Sequence, residues 1–318
     1  MPLSLLSPHG RRGRLLIFTY HRVLARPDPL LPDEADAASF AAHMDWVREF
    51  CNVLPLPEAV RRLRDGTLPA RATCITFDDG YANNYDIARP ILLQRGLTAT
   101  VFIAVDAVER GIMWNDLVIE SVRQAGGQLE AHHWTAIGIS GPAGTAASPA
   151  ECVNRALDAL KYRPLGERWE AAAELYRRVA QRDPPRLMMT PETVAAFGRD
   201  GFDIGAHTVN HPILAMQAAD VARFEIQASR DWVAQVTGSA PLSFAYPNGR
   251  PGRDYDDSHA RMVREAGYEL AVSTAWGCTN RRSDVFQLPR VAFWDRSRRP
   301  FWARLVHTYA RSYLQRAA

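Results

Sequence analysis

Short apolar stretches recur along the chain, each followed by a segment whose apolar residues fall three and four positions apart. "LLIFTYH" (15–21), "ATCITF" (72–77), "TATVFIAV" (98–105), "FDIGAHT" (202–208), "PLSFAY" (241–246) and "ELAVST" (269–274) read as strands. Between them lie helical patterns. One carries Phe40, Met44 and Val47 on one face, with Ser39 as its N-cap. A short strand at "NVL" leads to a helix ending at Gly66, and "NYDIARPILLQRG" is a helix stopped at Gly96. Thr190 caps a helix with Pro191 at its first position, "AADVARFEIQASRDWVAQVTG" is a long helix, and "DDSHARMVREAGY" is another. Strands that alternate with helices predict a parallel sheet, open or closed into a barrel. In a barrel, reactive groups collect at the C-terminal ends of the strands.

Residues 112–189 break this rhythm. "MWNDLVIESVRQAGG" is helical, residues 135–149 are loop-like, and the following segment reads as two helices interrupted near Pro164. The expectation is one domain over residues 1–318 with a helical insertion at about 112–189 and a tail helix from about residue 300. The tail presents Phe301, Leu305, Tyr309 and Tyr313 on one face, with arginines at 304, 311 and 316. It reads as a helix docked on the barrel, with weak association with a membrane surface left open.

Composition changes this picture little. Hydrophobic residues are 47% and charged residues 23% of 318, ordinary for a globular protein. The 38 basic and 35 acidic residues leave a net charge of +3, with no basic block interleaved with aromatics, so nucleic acid is not an expected partner. Cys51, Cys74, Cys152 and Cys278 form no CxxC pair. Arg11, Arg12 and Arg14 precede an apolar run too short for a signal peptide, and no apolar run is long enough to span a membrane, so a cytoplasmic location is expected.

Two segments carry candidate chemistry. In "TFDDG" (76–80), Asp78 and Asp79 follow a buried strand directly. Neighbours in a strand face opposite ways, so both can serve one site only where the backbone turns, which Gly80 permits. In "HTVNH" (207–211), a helical path would place His207 and His211 on one face, a spacing suited to one metal ion. Two histidines and one carboxylate form a common open ligand set for a hydrolytic metal. Alone, each segment is weak, since solvated Asp-Asp-Gly turns are common and nine histidines produce such pairs by chance. Both, however, lie at predicted strand ends.

With these two segments in place, the chain resembles the polysaccharide deacetylases (NodB-homology, carbohydrate esterase family 4) over residues 15–106 and 186–294. "TFDDG" is similar to the family's first motif and "HTVNH" to its second. The resemblance implies a distorted (β/α)7 TIM-like barrel and a metal-dependent hydrolase that removes N- or O-acetyl groups from a carbohydrate, in polysaccharide or glycolipid metabolism. It implies Asp78 as catalytic base and Asp79, His207 and His211 as ligands of a divalent metal. Zinc is the expected ion, with iron, cobalt and nickel as alternatives.

Two departures from the family pattern direct attention elsewhere. The third motif ordinarily carries an arginine that braces the catalytic aspartate, but here "AYPNG" places Ala245 there. The late Leu-x-His that supplies the general acid is missing from "QLPRVAF". A circularly permuted branch, which includes the poly-N-acetylglucosamine deacetylases, carries a Tyr-His motif on its first strand, and "TYHRV" resembles it. His21 is therefore the candidate acid and Arg290 the candidate brace on Asp78. Asn248 and Tyr246, in the third-motif turn, are candidates for oxyanion or substrate contact, and Trp276 for stacking on a sugar. Hydrolysis of another amide (formyl or cyclic imide) and a non-catalytic sugar-binding relative are the rival readings.

Overall fold

The computed structural model describes residues 3–139, 147–180, 182–293 and 295–310. The chain divides into two compact units, one of residues 1–25, 35–109 and 189–318, the other of residues 26–34 and 110–188.

The first unit is a parallel barrel. Its strands are β1 (Leu15–Tyr20), β2 (Ala72–Phe77), β3 (Thr100–Ile103), β4 (Asp203–Ala206), β5 (Ser243–Ala245), β6 (Leu270–Trp276) and β7 (Leu288–Arg290), each hydrogen-bonded to the next. β1 and β2 pair over their full length, from Leu15 with Ala72 to Tyr20 with Phe77. The barrel closes where Val291 bridges to Phe18, the Thr19 N–H donating to the Val291 carbonyl and the Val291 N–H to that of Ile17, both at 2.9 Å. Strands covered on both faces can be apolar throughout, which is why "LLIF" and "ATCITF" lack polar alternation. Leu15, Ile17, Cys74, Phe102, Ala245, Val272 and Leu288 belong to one buried cluster. Residues two apart share a face, so the row Leu15, Ile17, Thr19 leads to His21, and Cys74, Thr76 leads to Asp78.

Helix boundaries follow local chemistry. The helix Ala37–Phe50 is capped by Asp36 and not by Ser39: the Ser39 N–H donates to the Asp36 carboxylate at 2.7 Å, and the Asp36 N–H donates to the Ser39 hydroxyl at 3.0 Å. The serine is thus the third residue of a capping box, a pattern with the same spacing read from the other end. Thr190 caps Pro191–Arg199 as expected. The helix predicted from Asn84 and stopped at Gly96 begins as a π-helical turn, Asn84–Ala88, and continues as the α-helix Arg89–Leu93.

The tail helix, Arg298–Ala310, spends its apolar face within the unit. Phe301, Leu305 and Tyr309 are fully buried. Phe301 stacks on Phe18, and the Tyr309 hydroxyl donates to the Ala72 carbonyl at 2.9 Å. That face is therefore not available to a membrane surface. Tyr313 lies outside the described residues. Among the described residues, no helix is long and apolar enough to cross a membrane.

The second unit is helical, with Trp114–Gln124, Ala131–Ala136, Pro149–Leu160 and Leu165–Val179 around Val118, Val122, Cys152, Ala156, Leu160, Ala172 and Leu175. Residues 26–34 belong with it: Leu30 enters its core, and Arg123 pairs with Asp28 at 2.6 Å.

Candidate active site

Five non-glycine residues among those described adopt positive φ: Arg71, Asp79, Thr208, His211 and Asn248. All but Arg71 lie in loops at the C-terminal ends of β2, β4 and β5. Such conformations cost on the order of 1–3 kcal/mol each and collect where function requires them.

After β2 the chain reverses in a γ-turn. Asp79 has φ 76°, Gly80 has φ 90°, and the Gly80 N–H donates to the Asp78 carbonyl at 3.0 Å. This turn lets two consecutive carboxylates serve one site. Asp78 goes to Arg290. The two guanidinium nitrogens each donate to one carboxylate oxygen at 2.7 Å, and both side chains are buried. Arg290 also donates through Nε to the Ser273 carbonyl at 3.0 Å and through Nη1 to the Thr76 hydroxyl at 3.2 Å. Burial would raise the Asp78 pKa, but the charge of Arg290, with lesser help from His207 and His21, outweighs it and holds the carboxyl well below its usual range. Arg290, on β7, thus reaches Asp78 where Ala245 on β5 cannot.

Asp79 lies with the two histidines. His207 Nε2 and His211 Nε2 are each 3.5 Å from Asp79 Oδ1, and the three ligand atoms all fall within 4.8 Å of one another. Tetrahedral ligands about 2.1 Å from an ion stand about 3.4 Å apart, so the donor set fits a zinc-sized cation. His207 Nδ1–H donates to the Ala245 carbonyl at 2.7 Å, which leaves Nε2 as the acceptor atom in the neutral ring. Burial pushes the His207 pKa down to about 4, against the opposing pull of Asp78.

A stability prediction follows. Between pH 6.5 and about 4, His207 is neutral in the folded chain and protonated in the unfolded one. Protons then favour unfolding, so the metal-free protein loses up to about 3 kcal/mol from this group as pH falls through that window. Denaturant melts of chelated protein at stepped pH should show the loss. His207→Gln should flatten it, and an equal slope in that variant would contradict the assignment.

The segment 207–211 is not the helix its spacing predicts. It is a loop with Thr208 at φ 66° and His211 at φ 51°. Its carbonyls at Thr208 and Val209 accept from the Val105 and Asp106 N–H groups at 3.2 and 2.8 Å. Its amides at Val209 and Asn210 both donate to Glu225 Oε2 at 2.8 Å, and the Asn210 side chain donates to Oε1 at 2.7 Å. Sequence reasoning missed Glu225. Its signal was a carboxylate on the buried stripe Ala222, Ile226, Ser229, Val233 of the helix Ala219–Thr237, where an acid is out of place without partners.

His21 follows β1 with its side chain 48% exposed and Nε2 4.0 Å from Asp78 Oδ2. The Asn84 side chain, on the π-helical turn, donates to the His21 carbonyl at 2.9 Å. After β5 a second γ-turn places Asn248 at φ 58°, with the Gly249 N–H donating to the Pro247 carbonyl at 2.6 Å. Thr274 holds this turn, its hydroxyl donating to the Asn248 carbonyl at 2.6 Å and its N–H to the Gly249 carbonyl at 2.9 Å. A Cβ at Gly249 would meet the Tyr246 carbonyl at 2.9 Å, so only glycine fits.

Tyr246 is not a substrate contact. Its side chain is fully buried, stacked on Tyr255 at 3.8 Å, and its hydroxyl donates to the Phe286 carbonyl at 2.9 Å. Trp276, at the end of β6, is 43% exposed and packs against Phe293. All four cysteines are buried and none is in a disulfide.

A sequence profile of the polysaccharide deacetylases matches residues 65–271. The Bacillus subtilis (strain 168) protein YxkH, named as a polysaccharide deacetylase, is 25% identical over 281 residues, covering 88% of this chain and 71% of its own. The fold is similar to that of the Streptococcus pyogenes deacetylase PplD, solved with acetate (TM-score 0.59, 20% identity, 88% of this chain and 92% of that one). It is equally similar to IcaB from Ammonifex degensii (TM-score 0.59, 16% identity, 96% and 99%). The profile takes in Asp78, Asp79, His207 and His211, whereas His21 and Arg290 lie outside it.

Proposed function

The chain belongs to the polysaccharide deacetylase family and is a carbohydrate deacetylase, and we propose that it hydrolyses the N-acetyl group of an amino-sugar unit at the site built on β1, β2, β4, β5 and β7. Asp79, His207 and His211 would hold a divalent cation; two imidazoles and a carboxylate suit zinc, and iron, cobalt or nickel as well. When bound, the cation supplies Lewis acidity and a water of lowered pKa. The observation that carries the reading is Asp78: a buried carboxylate beside this ligand set, held by Arg290 and outside the ligand set itself.

Asp78 accepts the proton of the attacking water. Its pair with Arg290 keeps it ionised, hence always in the accepting form, and fixes both oxygens in orientation. The Asn248 N–H donates to the oxygen of the tetrahedral intermediate from a turn fixed by Thr274. His21 gives a proton to the departing nitrogen. Trp276 offers an exposed ring face to a sugar. Water is consumed, the C–N bond breaks, and acetate and a free amine leave.

The role of His21 is tested through the leaving group. An amine must be protonated to depart, whereas an activated phenolate leaves unaided. His21→Ala should therefore lose on the order of a hundredfold or more on an N-acetylated sugar. It should retain most activity on an aryl acetate, with metal content unchanged. Equal losses on both substrates would contradict the acid assignment.

A further inference from the structure

The segment between the two metal histidines is held in a strained path by a residue with no part in the chemistry. Thr208 is β-branched and sits at φ 66°, and His211 sits at φ 51°. A β-branched residue is a genuine outlier in this region, and each such position costs on the order of 1–3 kcal/mol. Left alone, the loop would relax and carry His211 away from Asp79. What opposes relaxation comes from two elements distant in sequence. The Val105 and Asp106 amides hold its carbonyls, and Glu225 holds its amides.

Glu225 is 1% exposed and fixed in the middle of the helix Ala219–Thr237. That helix is tied in turn to the helix Val105–Arg110, because the Trp232 indole donates to Glu109 at 2.8 Å. The Glu225 carboxylate accepts three hydrogen bonds at 2.7–2.8 Å, all from Val209 and Asn210. Hydrogen bonds to an ionised acceptor are roughly twice as strong as neutral ones. Both backbone bonds converge on one oxygen, which fixes the peptide between Val209 and Asn210 relative to the helix.

We propose that Glu225 is a positioning residue for the metal centre: by clamping the Val209–Asn210 backbone, it sets the spacing of His207 and His211 and so the affinity and coordination geometry of the site. The inference rests on the assignment of Asp79, His207 and His211 as ligands. A purely architectural Glu225 would support the stability of the barrel and leave the site unchanged once the protein is folded. A positioning Glu225 changes the site itself.

The test uses Co(II), whose visible absorption reports ligand geometry, titrated into chelated full-length protein. Glu225→Ala should weaken Co(II) binding tenfold or more, the range seen when outer hydrogen-bond partners of metal ligands are removed. Its absorption bands should also shift. Glu225→Gln keeps an oxygen for the two backbone amides and should restore most of the affinity. Val233→Ala, a buried truncation on the same helix, should lower the melting temperature and leave Co(II) affinity and spectrum unchanged. If Glu225→Ala does not fold, Glu225→Asp, whose carboxylate falls short of the loop, carries the same expectation. Wild-type affinity and spectrum in the folded Ala or Asp variant would overturn the inference alone. Failure of the wild-type protein to bind Co(II) would overturn the ligand assignment and the inference with it.

Discussion

Asp78→Asn is expected to retain its metal and lose on the order of a hundredfold or more in turnover, whereas Asp79→Asn loses the metal itself. The two residues are adjacent, so the contrast isolates what the γ-turn separates. Asp79 Oδ1 stands 3.5 Å from both histidine nitrogens, while both oxygens of Asp78 face Arg290. An asparagine at 78 keeps one acceptor for Arg290, turns an amide donor toward the other guanidinium nitrogen, and cannot take a proton from water. A moderate fall in melting temperature should therefore accompany the loss of turnover. Metal content by elemental analysis, beside the initial rate of acetate release, checks the division of labour. Equal metal loss in both variants would contradict it.

Arg290→Met should lower both stability and rate. It removes one partner of a buried ion pair and leaves the other uncompensated, which costs about 3–5 kcal/mol. The consequence for chemistry has a sign. Without the guanidinium, burial is the dominant influence on Asp78 and raises its pKa, so the carboxyl takes up a proton at pH values where the wild type stays ionised. The rate of Arg290→Met should therefore climb with rising pH along an acid limb displaced upward from that of the wild type. Arg290→Lys keeps a charge but not the two-pronged hydrogen bonding, and should fall between the two. In the Asp78→Asn, Arg290→Met double variant the stability losses should be less than additive, because the second change removes a group already stranded. An acid limb at the wild-type position in Arg290→Met would show that Arg290 does not govern Asp78.

Much of this arrangement was legible in the sequence, for particular reasons. Strands covered on both faces leave unmistakable apolar runs, so β1 and β2 were placed where they lie, and "TFDDG" and "HTVNH" therefore fell at strand ends. Arg290 was reachable only through the family resemblance, which implies an arginine braced on Asp78 where this chain has Ala245. What stayed hidden depends on partners far along the chain. The histidine spacing in 207–211 is the same in a helix as in the loop that forms, and the choice is made by Glu225 and by the amides of Val105 and Asp106. Tyr246 looked like a site residue because it stands beside Asn248. Its strand neighbour Ala245 faces the buried cluster within the barrel, so Tyr246 points the opposite way, onto Tyr255. The tail helix has the same apolar stripe whether it meets a membrane or a barrel, and only the packing of Phe301 on Phe18 and Phe293 distinguishes them.

The central claim, that this site removes acetyl groups from an amino sugar with the help of a divalent cation, is tested most directly by acetate release from N-acetylglucosamine oligomers. The protein is assayed as purified, after chelation, and after zinc is returned. The account predicts acetate and free amine in equal amounts, loss of both on chelation, and recovery of both with zinc in the wild type but not in His211→Ala. Acetate release that survives complete removal of metal, or that zinc restores equally in His211→Ala, would contradict it.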